Sequence, residues 1–193
     1  MNAMKKEDRR VRYTKLAIRE SFLALLSEKP IEKISVTEIC KRADINRGTF
    51  YSHYADPFDL KHQLELELTN AFAESRAALG VKRLSAVDIF RVLKENRELC
   101  GVFYGPHGDS KAMRSIIFEY SGGYVEDLLH DCPALSEAHL RCLREMLVSA
   151  TSTMLKYWYE HEMKGDPEIM AKALESFCDG GALSFVHQIE SQD

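Results

Sequence analysis

The stretch SVTEICKRADINRGTFYSHY, Ser35 to Tyr54, decides the fold of this chain. Ser35 and Glu38 stand in the S-x-x-E spacing of a capping box, which predicts a helix beginning at Val36. Val36, Ile39 and Ala43 recur three and four residues apart and give that helix one apolar face. Asp44-Ile45-Asn46 breaks it, and Asn46 can cap a second helix by accepting from a backbone N–H two or three residues on. The second helix is expected to carry Arg47, Gly48, Thr49, Tyr51 and His53 outward and to turn Phe50 and Tyr54 back toward the first. Two short helices across a tight turn make a helix-turn-helix, whose second helix enters the major groove of DNA.

Two helices of this length cannot bury enough surface alone. A third wall lies upstream. Ile18, Phe22 and Leu25/Leu26 mark an amphipathic helix over Thr14 to Glu28, which Lys29-Pro30 ends. Ile31 to Ile34 is a short connector. Residues 1–12, with Lys5, Lys6, Arg9, Arg10 and Arg12, read as a flexible basic arm, either solvated or touching DNA.

Downstream the pattern stays helical. Asp56-Pro57 starts a long helix in which Leu60, Leu64, Leu68 and Phe72 run to about Leu79, and Gly80 closes it. Ser85 caps a helix over Ala86–Glu95, with Val87, Phe90 and Leu93/Lys94 as its inner face. A short piece spans Arg97 to Tyr104, and residues 105–109 form a loop. Met113, Ile116/Ile117, Tyr120 and Tyr124 mark another helix before the break at Cys132-Pro133. A long segment runs from Ser136 to about Lys164, and Pro167 opens a last helix with Ala173, Phe177, Gly181 and Phe185 on one face. No strand-like alternation or repeat interrupts this, so the fold class is all-α.

The totals limit what such a chain does. With 193 residues, 45% of them hydrophobic and 29% charged, it can bury a sizeable core as a small plus a medium domain. No apolar run reaches the roughly 18 residues a membrane span needs, and the start, MNAMKKEDRR, has no signal-peptide core, so no membrane partner is expected. Five cysteines without a C-x-x-C pair suit free thiols in a reducing cytoplasm. Residues 1–54 hold 12 Lys and Arg against 7 Asp and Glu, and the rest hold 14 against 23. A basic head on an acidic body suits a head that meets a polyanion. No Ser/His/Asp set, acid pair or phosphate loop points to an enzyme, and no cofactor is implied. His130, Cys132 and His139 lack a metal-ligand spacing, so no metal is expected.

With its flanks, the head resembles the TetR family of bacterial transcriptional regulators. The resemblance rests on the run from Thr37 to Tyr54, followed by Asp56, Leu60 and Lys61 and preceded by RYTKLAIRESFLALL. The family's usual pattern is met at Ala43, Ile45, Gly48, Thr49, Phe50, Tyr51 and His53; Asn46 stands where Ser is common, and Tyr54 where Phe is. The likeness covers residues 12–72. The stretch WYEHEMKGDP at 158–167 looks like a subgroup frequent in low-GC Gram-positive bacteria.

The resemblance implies a DNA-binding domain over 1–56 and an effector-binding and dimerisation domain over 57–193, about nine helices in all. It implies a homodimer on a palindromic double-stranded DNA operator, with recognition helices about 34–36 Å apart. It also implies release by a small-molecule effector that tilts the helix over 57–79, and a dimer interface built from 136–164 and 167–189, with Leu143, Leu147, Phe177, Gly181 and Phe185 as candidates. The other reading of the same fold is a co-activator or adaptor whose C-terminal domain binds a protein partner.

The DNA-facing candidates are Ser35, Thr37, Asn46, Arg47, Gly48, Thr49, Tyr51, His53 and Lys61. Arg47 lies at the end of the second helix that meets base edges, where a guanidinium grips guanine O6 and N7. Gly48 in a helix costs about 1 kcal/mol against Ala, and close approach to DNA is one return for that. Thr37 can donate to a phosphate beside a helix N-terminus. Thr49, Tyr51, His53 and Lys61 match family positions that hold phosphates or touch bases. For an effector pocket the candidates are Phe72, Phe90, Phe103, Tyr104, Tyr120 and Trp158, aromatics whose helical spacing equally suits plain core.

Overall fold

The computed structural model describes the backbone of residues 2–118 and 136–190, and side chains over 9–118 and 136–177. Among these residues every regular element is helical: α1 (Asn2–Glu28), α2 (Val36–Ala43), α3 (Arg47–Tyr51), α4 (Pro57–Leu79), α5 (Ala86–Glu95), α6 (Arg97–Tyr104), α7 (described over 110–118), α8 (Glu137–Glu160) and α9 (Pro167–Glu190). None of the described helices is long and apolar enough to cross a membrane. Tyr120, Tyr124, the glycines at 122–123, His130, Cys132 and Pro133 lie outside the described residues.

The chain divides into two compact units: a head of residues 1–67 and 98–108, and a body of 68–97 and 109–193. The division at 67/68 falls inside α4. Two forces extend the head. Leu60 and Leu64 are fully buried, and Arg19 of α1 pairs with Glu67 of α4.

Ile18, Phe22, Leu25 and Leu26 of α1, Ile39 of α2 and Phe50 of α3 make up much of the head core. The flexible arm expected over residues 1–12 is instead part of α1, which starts at Asn2. Its charge does not break a helix: Lys, Glu and Arg are good helix formers, and no Gly or Pro interrupts KKEDRRVRYTKL. Asp56 Oδ1 accepts from the backbone N–H groups of Phe58 (2.8 Å) and Asp59 (2.9 Å), which fixes the start of α4 behind Pro57.

In the body, α5 and α8 each pack against α9. Phe90, Val92 and Leu93 form the buried face of α5; Val87 is half-buried and Lys94 is exposed, its ammonium donating to the Gly165 carbonyl at 2.8 Å. The helix expected to reach Lys164 stops at Glu160. Glu162 and Met163 turn left-handed (φ 60° and 49°), Met163 is buried, and the Trp158 indole donates to the Lys164 carbonyl at 3.0 Å. The last helix runs to Glu190; among its described side chains Ala171 is buried, and Ala173 and Phe177 are exposed.

Candidate nucleic-acid interface and effector cavity

The helix-turn-helix is held by local hydrogen bonds. Ser35 Oγ accepts from the Glu38 backbone N–H (3.3 Å), and the Glu38 carboxylate accepts from the Ser35 backbone N–H (3.0 Å) and hydroxyl (2.8 Å). Lys29, just past α1, also bonds that carboxylate, so the start of α2 is clamped to the end of α1. The Lys29 hydrogen bond, then those from Ser35, hold the Glu38 carboxyl down at about 2. The turn works because Asp44 adopts the left-handed conformation (φ 53°, ψ 48°), which Asp tolerates better than most side chains, and Ile45 N–H reaches back to the Cys40 carbonyl at 3.0 Å.

Asn46 Oδ1 accepts from the Thr49 N–H at 2.8 Å and caps α3. A helix of five residues has little stability of its own. Burial of Phe50 holds it down, by about 1.5–3 kcal/mol for a side chain of that size, with the Tyr54 ring 5.7 Å away. Arg47 and Tyr51 are exposed, and the guanidinium donates to the Tyr51 hydroxyl at 3.1 Å, which raises the arginine pKa. A Cβ at Gly48 would stand 3.2 Å from Asn46 Oδ1, so the glycine also leaves room for the cap.

The nine DNA-facing candidates do not all stand alike. Ser35, Thr37, Asn46, Arg47, Gly48 and Tyr51 are exposed, and Thr49 is half-buried. His53, expected on the second helix, lies beyond the Ser52 C-cap, because α3 ends at Tyr51. Ser35 and Asn46 have their side chains engaged as caps. Lys61 Nζ pairs with Glu65 at 2.6 Å, both side chains largely covered (16% and 19% exposed), so it would have to exchange partners to hold a phosphate.

The body holds a cavity of about 430 Å³, whose described lining residues all belong to that unit. Of the six aromatic candidates, Phe72 and Phe90 line it. Trp158 does not; it is buried with its ring edge against Phe90, centroids 5.3 Å apart. Phe103 and Tyr104 do not line it either: they are buried residues of α6, which belongs to the head. Tyr120 is outside the described residues. Leu147, a dimer candidate, faces the cavity instead; it falls one turn before Thr151 and two before Leu155 on the same wall. Leu143 is half-buried, and Phe177 is 64% exposed. Of Gly181 and Phe185 only the helical backbone is described. The aliphatic lining, with Ile89, Ile116, Ile117 and Leu174, carried no signal in the sequence beyond ordinary core periodicity. Among the described residues no group of three or more His, Cys, Asp or Glu is placed to hold a metal ion.

Two family models match the chain. Residues 18–56 match "Bacterial regulatory proteins, tetR family", and residues 84–180 match "Transcriptional regulator C-terminal region" of the same family. The chain belongs to the TetR family. It is therefore a DNA-binding transcriptional regulator of the helix-turn-helix type. An uncharacterised HTH-type transcriptional regulator of Bacillus subtilis, YxbF, is 40% identical over 94 residues, a match spanning 44% of this chain and 25% of that relative's length. A TetR transcriptional regulator from Streptococcus agalactiae shares the fold with a TM-score of 0.60 at 24% identity, covering 91% of this chain and 98% of that one. The fatty acid degradation regulator FadR from Bacillus halodurans shares it with a TM-score of 0.57 at 17% identity, covering 87% and 95%. These neighbours are transcription regulators, not enzymes.

Proposed function

We propose that this TetR-family protein is a repressor whose homodimer grips a palindromic operator and lets go when a small molecule enters the body cavity. The observation that carries the reading is the reach of α4. Its Leu60 and Leu64 are core residues of the head, and its Phe72 forms part of the cavity wall. An occupant that displaces Phe72 acts on the same helix that anchors the DNA-binding head, and a shift there alters the spacing of two recognition helices. The adaptor reading calls for a filled core in the body, and a cavity of about 430 Å³ weighs against it. Exposed Phe177 and Met146 suit burial against a second copy. The place of action is the bacterial cytoplasm, where the operator is.

On DNA, Arg47 reads guanine O6 and N7, with Tyr51 holding the guanidinium. Thr37 and Lys61 take phosphates, Lys61 after leaving Glu65. The test is binding of the purified protein to its own upstream DNA across a salt series. A preferred site and a steep fall of affinity with salt are expected. Arg47→Ala should lose about 1–3 kcal/mol of discrimination at one guanine. Equal affinity for random DNA at every salt concentration would end the operator reading.

A further inference from the structure

Among the described residues the cavity wall is mostly apolar, and its polar members differ in what they can still do. Arg83 and Glu175 line it as exposed residues, open to water as well as to the cavity. Ser85 has its hydroxyl engaged, donating to Asp88 at 2.6 Å and accepting from the Asp88 N–H at 3.2 Å. Thr151 is different. It lies on α8 between Leu147 and Leu155, only 9% exposed, lines the cavity, and makes no hydrogen bond to any described group. A hydroxyl that lines the cavity and is engaged by no described group is left to bond an occupant. Away from Arg83 and Glu175, the described wall offers an ion no opposite charge.

The geometry points to a neutral, largely apolar effector carrying one hydrogen-bonding oxygen, an alcohol, phenol or ketone, anchored by Thr151. This rests on the effector-cavity reading above and names its chemistry. The cavity of about 430 Å³ calls for a compact molecule, near the lower end of the roughly 300–1,000 Å³ range of ligand pockets. The hydroxyl can donate or accept, so either end of a hydrogen bond on the ligand suits it.

Four molecules of matched skeleton test this on the full-length protein: ethylbenzene, 2-phenylethanol, phenylacetate and 2-phenylethylammonium. Calorimetry gives affinities. The single tryptophan, Trp158, touching the cavity-lining Phe90, gives an independent fluorescence signal. We expect 2-phenylethanol to bind best and both ions at least about tenfold more weakly. Thr151→Val should weaken 2-phenylethanol about tenfold while leaving ethylbenzene within about twofold, and Thr151→Ser should restore the alcohol. Ile89→Trp combined with Ile116→Trp, which narrows the cavity from two sides, should weaken every ligand at least about tenfold in a protein that still melts cooperatively. Tighter binding of either ion, or an alcohol indifferent to Thr151→Val, overturns the ligand class but leaves the cavity as an effector site. Binding unchanged by the double tryptophan substitution, or no binding by any of the four in protein that still binds DNA, overturns the effector-cavity reading itself.

Discussion

The recognition segment and the cavity are two opposite ways of making a site. Ser35–Tyr54 is built from contacts between residues three to five apart: Ser35 with Glu38, Cys40 with Ile45, Asn46 with Thr49, Arg47 with Tyr51. The cavity is built from α4, α5, α7, α8 and α9, none of which carries a mark of it alone. The first site is rigid by local chemistry over a filled core. The second is a place where the core was left unfilled.

The largest expected effect compares those two cores with one chemical change. Ile39 of α2 is fully buried in the head, whereas Ile117 faces the cavity. A side chain at a void already lacks partner atoms on one side and loses fewer contacts when truncated. Ile39→Ala should fall near the upper end of the roughly 2–5 kcal/mol range for such changes, and Ile117→Ala near the lower end. Urea unfolding followed by circular dichroism measures both. Equal losses would mean that the cavity wall is packed like ordinary core. The comparison would then collapse.

The same difference explains what was legible in the sequence. Capping boxes, Asp56-Pro57 and the Leu60–Leu64–Leu68–Phe72 row are short-range patterns, and the helices they predict start where expected. Aromatic residues stand out in a sequence by size and suggest a cavity wall. Topology decided otherwise: Phe103 and Tyr104 went to the head, Trp158 behind Phe90, and the wall went largely to aliphatics and Thr151. Charge misled at the other end, where a basic run read as an arm is helix from Asn2.

A smaller effect tests whether the head's rigidity comes from its caps. The Glu38 carboxyl is lowered from 4.5 to about 2 by Lys29 and Ser35. A carboxyl held down in the folded state contributes stability above its unfolded value near 4.5, and that contribution is lost as pH falls toward 2. The pair is partly exposed, so salt should shrink the effect. Urea midpoints measured from pH 7 down to pH 3 should fall less steeply in Glu38→Gln than in the native protein. Parallel curves would show that Lys29 and Glu38 do not clamp α2 to α1.

The smallest effect concerns Gly48, where stability and recognition compete at one atom. Alanine is favoured over glycine in a helix by about 1 kcal/mol. Its Cβ, however, would stand 3.2 Å from Asn46 Oδ1, the atom that accepts from Thr49, and a cap of this kind is itself worth about 1 kcal/mol. The two terms oppose each other, so Gly48→Ala should change unfolding free energy by less than about 0.5 kcal/mol. In an Asn46→Ala background the oxygen is gone, and the same substitution should then stabilise by about 1 kcal/mol. A double-mutant cycle separates the outcomes. If the substitution is neutral in both backgrounds, the cap does not explain the glycine. If operator affinity then falls while stability stands still, the reason for the glycine lies on the DNA side, in how closely α3 must approach the groove.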